Sequence, residues 1–300
     1  MRIVDAHHHL WDRDARPYPW LSQPTVSGLI GDTGPLCRNY LLDDFLADAS
    51  GVDLAGSVHL QAEIRHDLAL DETRWLQEIA DVHGFPHGIV AYADLSHPEV
   101  DRLLAGHAAF RNVRGIRQIL NRHPDPAVSF VDRDYLNEDG WRRGFSRLGH
   151  HGLSFDLQLY WPQMEDAARL ARENPDTQII LNHTGMPLER DRENLAGWQS
   201  GMRQLARCPN VAVKISGLGM TDHHWTVETI RPFVLDTIGI FGAARSLFAS
   251  NFPVDKLFSD YRTIWQAFDN LTAEFSQDER DALFRANATR LYRLDLNSRR

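Results

Sequence analysis

Eight short apolar runs separated by amphipathic stretches, with no Gly/Ser-rich linker between them, predict an α/β chain folded as a single (β/α)8 barrel over residues 1–300. The 300 residues are 43% hydrophobic, enough to bury one large core. The runs fall at 2–9, 56–63, 88–94, 113–120, 153–160, 178–183, 211–216 and 246–250, and each gap can hold one helix. Helices are expected over 67–83, with Leu68, Leu70, Trp75, Leu76, Ile79 and Val82 apolar, and over 164–173 after the Pro162 turn. A closing helix is expected over 277–292, capped by Ser276 and buried through Ala282, Leu283, Ala286 and Leu291. Segment 10–40 breaks the rhythm, because Pro17, Pro19, Pro24 and Pro35 interrupt any period. The expected TIM barrel is therefore distorted, with a long first βα loop lying over its mouth.

Composition narrows the partners. Forty-one acidic against thirty-two basic residues give a net charge of −9 with no basic cluster, which argues against nucleic acid and anionic membrane. No run approaches the roughly 20 apolar residues of a spanning helix. Cys37 and Cys208 fit neither a disulfide framework nor a thiolate zinc site, and the expected location is a reducing cytoplasm. A small molecule is the expected ligand, and an oligomer is compatible with the sequence.

Catalytic groups of such barrels sit at the C-terminal strand ends. Strand alternation turns His7 and His9 the same way at the end of the first run, as suits holding a divalent cation or positioning a water. The second run carries Ser57, His59, Gln61 and Glu63 on one face, and the fifth carries Asp156, Gln158 and Tyr160 on one face. His183 ends the apolar sixth run, Lys214 and Ser216 lie in the seventh, and Asn251 follows the eighth. His59 reads as a satisfied core histidine, and Lys214 with Asp156 as either an internal ion pair or ligand-binding groups.

Taken together, Val4-Asp5-Ala6-His7-His8-His9-Leu10-Trp11-Asp12, Tyr18-Pro19-Trp20-Leu21, Gln61-Ala62-Glu63, Gly115-Ile116-Arg117, Leu181-Asn182-His183-Thr184-Gly185, Lys214-Ile215-Ser216-Gly217 and Ser250-Asn251-Phe252-Pro253-Val254-Asp255 resemble the amidohydrolase-related family that includes sugar lactonases and 2-pyrone-4,6-dicarboxylate lactonase. The resemblance implies a barrel that opens a lactone or similar ester, with His7, His9 and His183 at the site. The wider superfamily holds one or two divalent metals with this histidine pair, a lysine or glutamate on strand four, histidines on strands five and six, and an aspartate ending strand eight. Here strand four offers Arg117 and Gln118, strand five Gln158 and Tyr160, and strand eight Asn251.

Asn251 cannot accept a proton at neutral pH. The general base is therefore expected to be His183, then Asp255, then Glu63. Two chemistries stay open. In one, His7, His9 and His183 hold one divalent ion, zinc or manganese; in the other no metal is bound and the histidines act on carbonyl and water directly. Arg117 and Lys214 would bind a carboxylate, Gln61, Gln158 and Tyr160 would read hydroxyls or ring oxygens, and Trp11 with Trp20 would cover one face of the substrate. The expected substrate is an anionic or polyhydroxylated lactone. A decarboxylase or hydratase on the same barrel, and a binding protein without turnover, are the alternatives.

Overall fold

All eight apolar runs become parallel strands, each paired with its sequence neighbour, in a computed structural model that describes residues 1–296. They are β1 Arg2–His8, β2 Asp53–Leu60, β3 Gly88–Tyr92, β4 Val113–Ile119, β5 Ser154–Gln158, β6 Ile179–Leu181, β7 Val211–Ile215 and β8 Ser246–Phe248. The seam between β8 and β1 closes at the mouth: Asn251 N donates to His7 O at 2.8 Å and His9 N to Phe252 O at 2.7 Å. Lower down, the buried Asp5 carboxylate accepts from Ser250 N, Ser250 Oγ and Tyr261 OH at 3.0, 2.5 and 3.0 Å. A carboxylate with that many donors acts as a clasp between the first and last strands.

The lumen is packed, as barrel interiors are. Val4 and Ala6 of β1, Val58 and Leu60 of β2 and Ile180 of β6 fill it, and Leu291 and Tyr292 from the closing helix plug its floor. A second apolar layer lies between the strands and the surrounding helices, with Phe155, Leu157, Ile179 and Leu181 among its strand residues.

One irregularity in β1 decides which histidines reach the mouth. Asp5 pairs with Ser57 but His8 with His59, so three steps on β1 span two on β2. Strict alternation from Val4 and Ala6 would turn His8 inward. The extra residue instead brings His7 and His9 to the lumen side, while His8 stacks on Phe45 with ring centroids 4.0 Å apart and meets Ser57 Oγ at 3.0 Å.

The expected polar face of the second strand is corrected by the same packing. Val58 and Leu60 face the lumen, and Ser57 and His59 lie on the outer side, where His59 Nε2 meets Leu10 O at 3.3 Å. His59 is thus a core histidine beneath the first loop.

The helices match the expected spans with two differences. The helix Ala69–His83 buries Leu76 and Ala80, but Val82 is 77% exposed. The closing segment starts on the Ser276 cap, with Glu279 completing a capping box, yet Ala282–Ala286 is a π turn. Its extra residue per turn moves the buried face from Ala282 and Ala286 to Phe284, Asn287 and Ala288. Segment 10–40 forms two 3-10 turns and a small hairpin, Val26–Ser27 with Gly31–Asp32, and roofs the barrel mouth. Among the described residues no helix is long and apolar enough to cross a membrane.

Candidate active site

A chamber of 520 Å³ opens at the C-terminal ends of the strands, as the barrel architecture requires. Its floor is polar: His9, Arg117, Gln158, His183 and Asn251 line it. The first βα loop supplies Trp20 and Ile30 to its walls, and the loop after β4 supplies Phe130 and Val131. These two loops touch at Gly28, where a Cβ would lie 2.5 Å from Ala127 O, so only glycine permits that closeness.

Three imidazoles meet at the floor. The His7 ring centroid lies 5.0 Å from that of His9 and 4.5 Å from that of His183. Each ring is held by its Nδ1. His9 Nδ1 lies 2.8 Å from Leu60 O, which fixes the proton on Nδ1 and leaves the Nε2 lone pair available. His183 Nδ1 is 3.0 Å from Ser216 Oγ, and His7 Nδ1 is 3.4 Å from Lys214 Nζ. His7 Nε2 is buried without a protein partner. Burial first, and then the nearby Lys214 and Arg117 charges, hold His7 and His183 well below the usual histidine range; burial and Arg117 do the same for His9. All three are neutral at pH 7.

The backbone around this floor is strained. Glu63, His183 and Asn251 line the chamber with φ of 56°, 54° and 59°, in the left-handed region that costs a side-chain-bearing residue about 1–3 kcal/mol. His183 also needs Gly217, whose φ is +64° and whose Cβ, if present, would lie 2.5 Å from His183 Nδ1.

Beneath the imidazoles, Lys214 and Asp156 form a fully buried ion pair at 2.6 Å. Tyr292 OH donates to both Asp156 oxygens, at 2.8 and 3.0 Å. Lys214 therefore serves the barrel interior and the back of His7, and it does not line the chamber. Burial lowers its ammonium to about 8 despite Asp156. Removing one partner leaves an uncompensated buried charge. Lys214→Met or Asp156→Leu alone is expected to cost about 3–5 kcal/mol in urea unfolding, and the double variant distinctly less than either single one.

The other expected site residues are placed as follows. Arg117 is 4% exposed; its Nη1 donates to Gln158 Oε1 at 3.2 Å and its Nη2 to Gln61 O at 2.6 Å, while its Nε has no protein partner. Glu63 lines the chamber and is held below the usual carboxylate range, with hydrogen bonds from His66 and Gln61 and the Arg117 charge outweighing its burial. The Gln61 side chain turns to Glu63, with Nε2 donating to Oε1 at 2.5 Å. Asp255 lies behind Asn251, whose Nδ2 is 3.5 Å away, and burial pushes its carboxyl up to about 8, so it is protonated at neutral pH. Trp20 lines the chamber, but Trp11 is 1% exposed and donates to Arg38 O at 2.7 Å. Tyr160 turns its OH to Val128 O at 2.6 Å, away from the floor.

Sequence reasoning did not select His66, Tyr92 or Phe130, which also line the chamber. His66 stacks on Tyr92 with centroids 4.0 Å apart and faces Glu63 at 3.5 Å. The available signals were the polar run after β2 and an exposed aromatic in the Pro-containing loop after β4.

As a metal site this donor set does not fit. Among the described residues no three His, Cys, Asp or Glu side chains are placed to hold an ion. An ammonium donating to His7 Nδ1 puts the ring proton on Nε2, which removes the lone pair a metal would need. Two buried cations, Arg117 and Lys214, adjoin the histidines, and the positions that could add an anionic or imidazole ligand are the neutral Asn251 and Gln158.

The site is thus a cluster of imidazoles and one arginine at the mouth of a parallel eight-stranded barrel. The chain belongs to the amidohydrolase family, whose sequence profile matches residues 4–294. It is 50% identical over 293 residues to the uncharacterized protein y4mH of Sinorhizobium fredii, covering 97% of this chain and 98% of that one. It is 27% identical over 303 residues to an L-fucono-1,5-lactonase of Burkholderia multivorans, covering 97% and 96% of the two chains. A crystal structure of a Burkholderia multivorans amidohydrolase with bound zinc superposes with a TM-score of 0.82 at 26% identity, covering 98% of this chain and all of that one.

Proposed function

We propose that this amidohydrolase opens a lactone by attack of water on the ring carbonyl. The observation that carries the reading is the convergence of His9 and His183, with His7 beneath them and the unpaired Arg117 Nε beside them, on one chamber floor. The lactonase relative, 27% identical across nearly the whole chain, supports the same reaction class.

In this mechanism neutral His183 takes the proton of a bound water as its oxygen attacks the carbonyl carbon. The carbonyl oxygen becomes an oxyanion, and Arg117 Nε–H is the buried donor free to meet it. Collapse breaks the ring C–O bond, and the leaving alkoxide takes the proton back from His183, giving a hydroxy acid. Asn251 orients the water, with protonated Asp255 behind it. Lys214 is a positioning residue: its donation to Nδ1 keeps His7 in one tautomer beneath His9 and His183. No step runs through a metal. The two free cysteines, one of them buried, fit a reducing cytoplasm.

Turnover of a lactone panel in ¹⁸O-water, followed by mass spectrometry, tests this reading. The expected product is a hydroxy acid with one ¹⁸O in the new carboxylate. Release of CO2 from a carboxylated ring, or no ring opening across the panel by folded protein, would replace it with a lyase or a binding protein.

A further inference from the structure

Most polar groups of the chamber lie at its floor or are committed to the protein; the exception is Gln23, whose exposed side chain stands on the first βα loop. Trp20 Nε1 donates to Ala62 O at 2.8 Å, so the indole offers the cavity carbon only. Ser27 Oγ accepts from Leu29 N and Ile30 N, and Thr33 Oγ1 donates to Thr25 O. Gln118 Oε1 accepts from Leu95 N and Trp141 Nε1 at 3.1 and 2.8 Å, although Gln118 lines the chamber. Tyr92 OH meets His66 Nδ1 at 3.0 Å. What remains along the walls is mainly apolar: Trp20, Ile30, Phe130, Val131 and Met220, with the ring of Tyr135, whose hydroxyl is taken by Arg133. Phe130 is 48% exposed at the mouth, an aromatic surface that a bound molecule would cover.

A polyhydroxylated ring in this chamber would set its hydroxyls against carbon and lose their water hydrogen bonds without replacement. An apolar substituent in the same place would bury its surface and that of the walls together. We infer that the substrate has one compact polar head, the lactone carbonyl and ring oxygen at the imidazole floor, and an alkyl or aryl body along the Trp20–Ile30–Phe130 wall. The inference rests on the lactone-opening reading for the head group and on wall chemistry alone for the body. It departs from the polyhydroxylated substrate that the sequence resemblance suggested.

Binding and turnover separate the two. Calorimetry with 6-phenyl-δ-valerolactam and δ-gluconolactam, ring-stable analogues of the corresponding lactones, is expected to show the phenyl compound binding at least tenfold more tightly. Phe130→Ser and Ile30→Ser are expected to weaken that binding about five- to tenfold each without weakening gluconolactam binding. Both side chains sit on loops, and unchanged urea unfolding would show that the fold is retained. Equal or tighter binding of gluconolactam, or phenyl binding indifferent to both variants, overturns the inference. Failure to open either matching lactone, with the phenyl preference intact, would instead sink the lactonase reading and leave the wall assignment standing.

Discussion

Between pH 6 and pH 5 the folded protein is expected to lose about 4–5 kcal/mol of stability, a large share of the 5–15 kcal/mol that holds a typical domain together. The cause is the number of imidazoles that burial keeps neutral. His7, His8, His9 and His183 are held well below the usual histidine range, His59 is lowered to about 3 and His107 to about 4. The unfolded chain takes up these protons near pH 6.5 while the folded chain refuses them. Their contribution is therefore complete above that pH and is lost as pH falls toward the folded values.

Buried carboxyls act in the opposite sense. Burial raises Asp255 to about 8 and Glu72 to about 7, and it raises Asp5 as well. Across the same interval the folded state holds the protons of Asp255 and Glu72 and the unfolded state does not, so acidification favours the fold through them, and Asp5 shifts in the same direction. His66, raised chiefly by its hydrogen bond to Glu63, also favours the fold, but it is more than half exposed and adds little. Six imidazoles, not quite fully charged in the unfolded chain at pH 6, against Asp255 and Glu72 leave about three to four protons in favour of unfolding, or about 4–5 kcal/mol per pH unit. Urea midpoints at pH 7, 6 and 5 measure this directly. A midpoint as high at pH 5 as at pH 7 would mean that these histidines are not buried and neutral as described.

Much of this architecture was legible in the residues. Each of the eight strands lies within a few residues of its apolar run, because buried parallel strands read as near-continuous hydrophobic segments. The prolines of segment 10–40 announced a loop, and that loop supplies Trp20 and Ile30 to the chamber. What stayed hidden depends on partners distant in sequence. The extra residue between Asp5 and His8 is visible only against β2, yet it selects His7 and His9 over His8. The π turn at Ala282–Ala286 likewise moves a buried face without any local signal. Trp11 looked like a substrate cover by composition, and Phe130 did not; Trp11 packs against Trp20 and Tyr40, while Phe130 stands at the mouth. The sequence left Asp156 and Lys214 as either an internal ion pair or ligand-binding groups, and the folded barrel pairs them and leaves Arg117 to line the chamber.

The histidines that acid would charge are also the groups assigned to the reaction, and removing them should cost more than any other change. His183 is the proton acceptor, so His183→Ala is expected to lower kcat/KM by about 10²–10⁴-fold, the range for loss of a positioned acid–base group. His9→Ala removes the other imidazole on the chamber floor and is expected to fall in the same range. Because groups acting on one reacting centre behave as a unit, the double variant should lose little more than the worse of the two single ones. Each variant replaces a buried ring that is neutral at pH 7, so folding at that pH should survive, and circular dichroism checks it.

The kcat/KM of folded His183→Ala for a lactone that the native protein opens is the most direct test of the account. A fall of at least a hundredfold is the predicted result; activity within threefold of the native protein would contradict it and remove His183 from the chemistry.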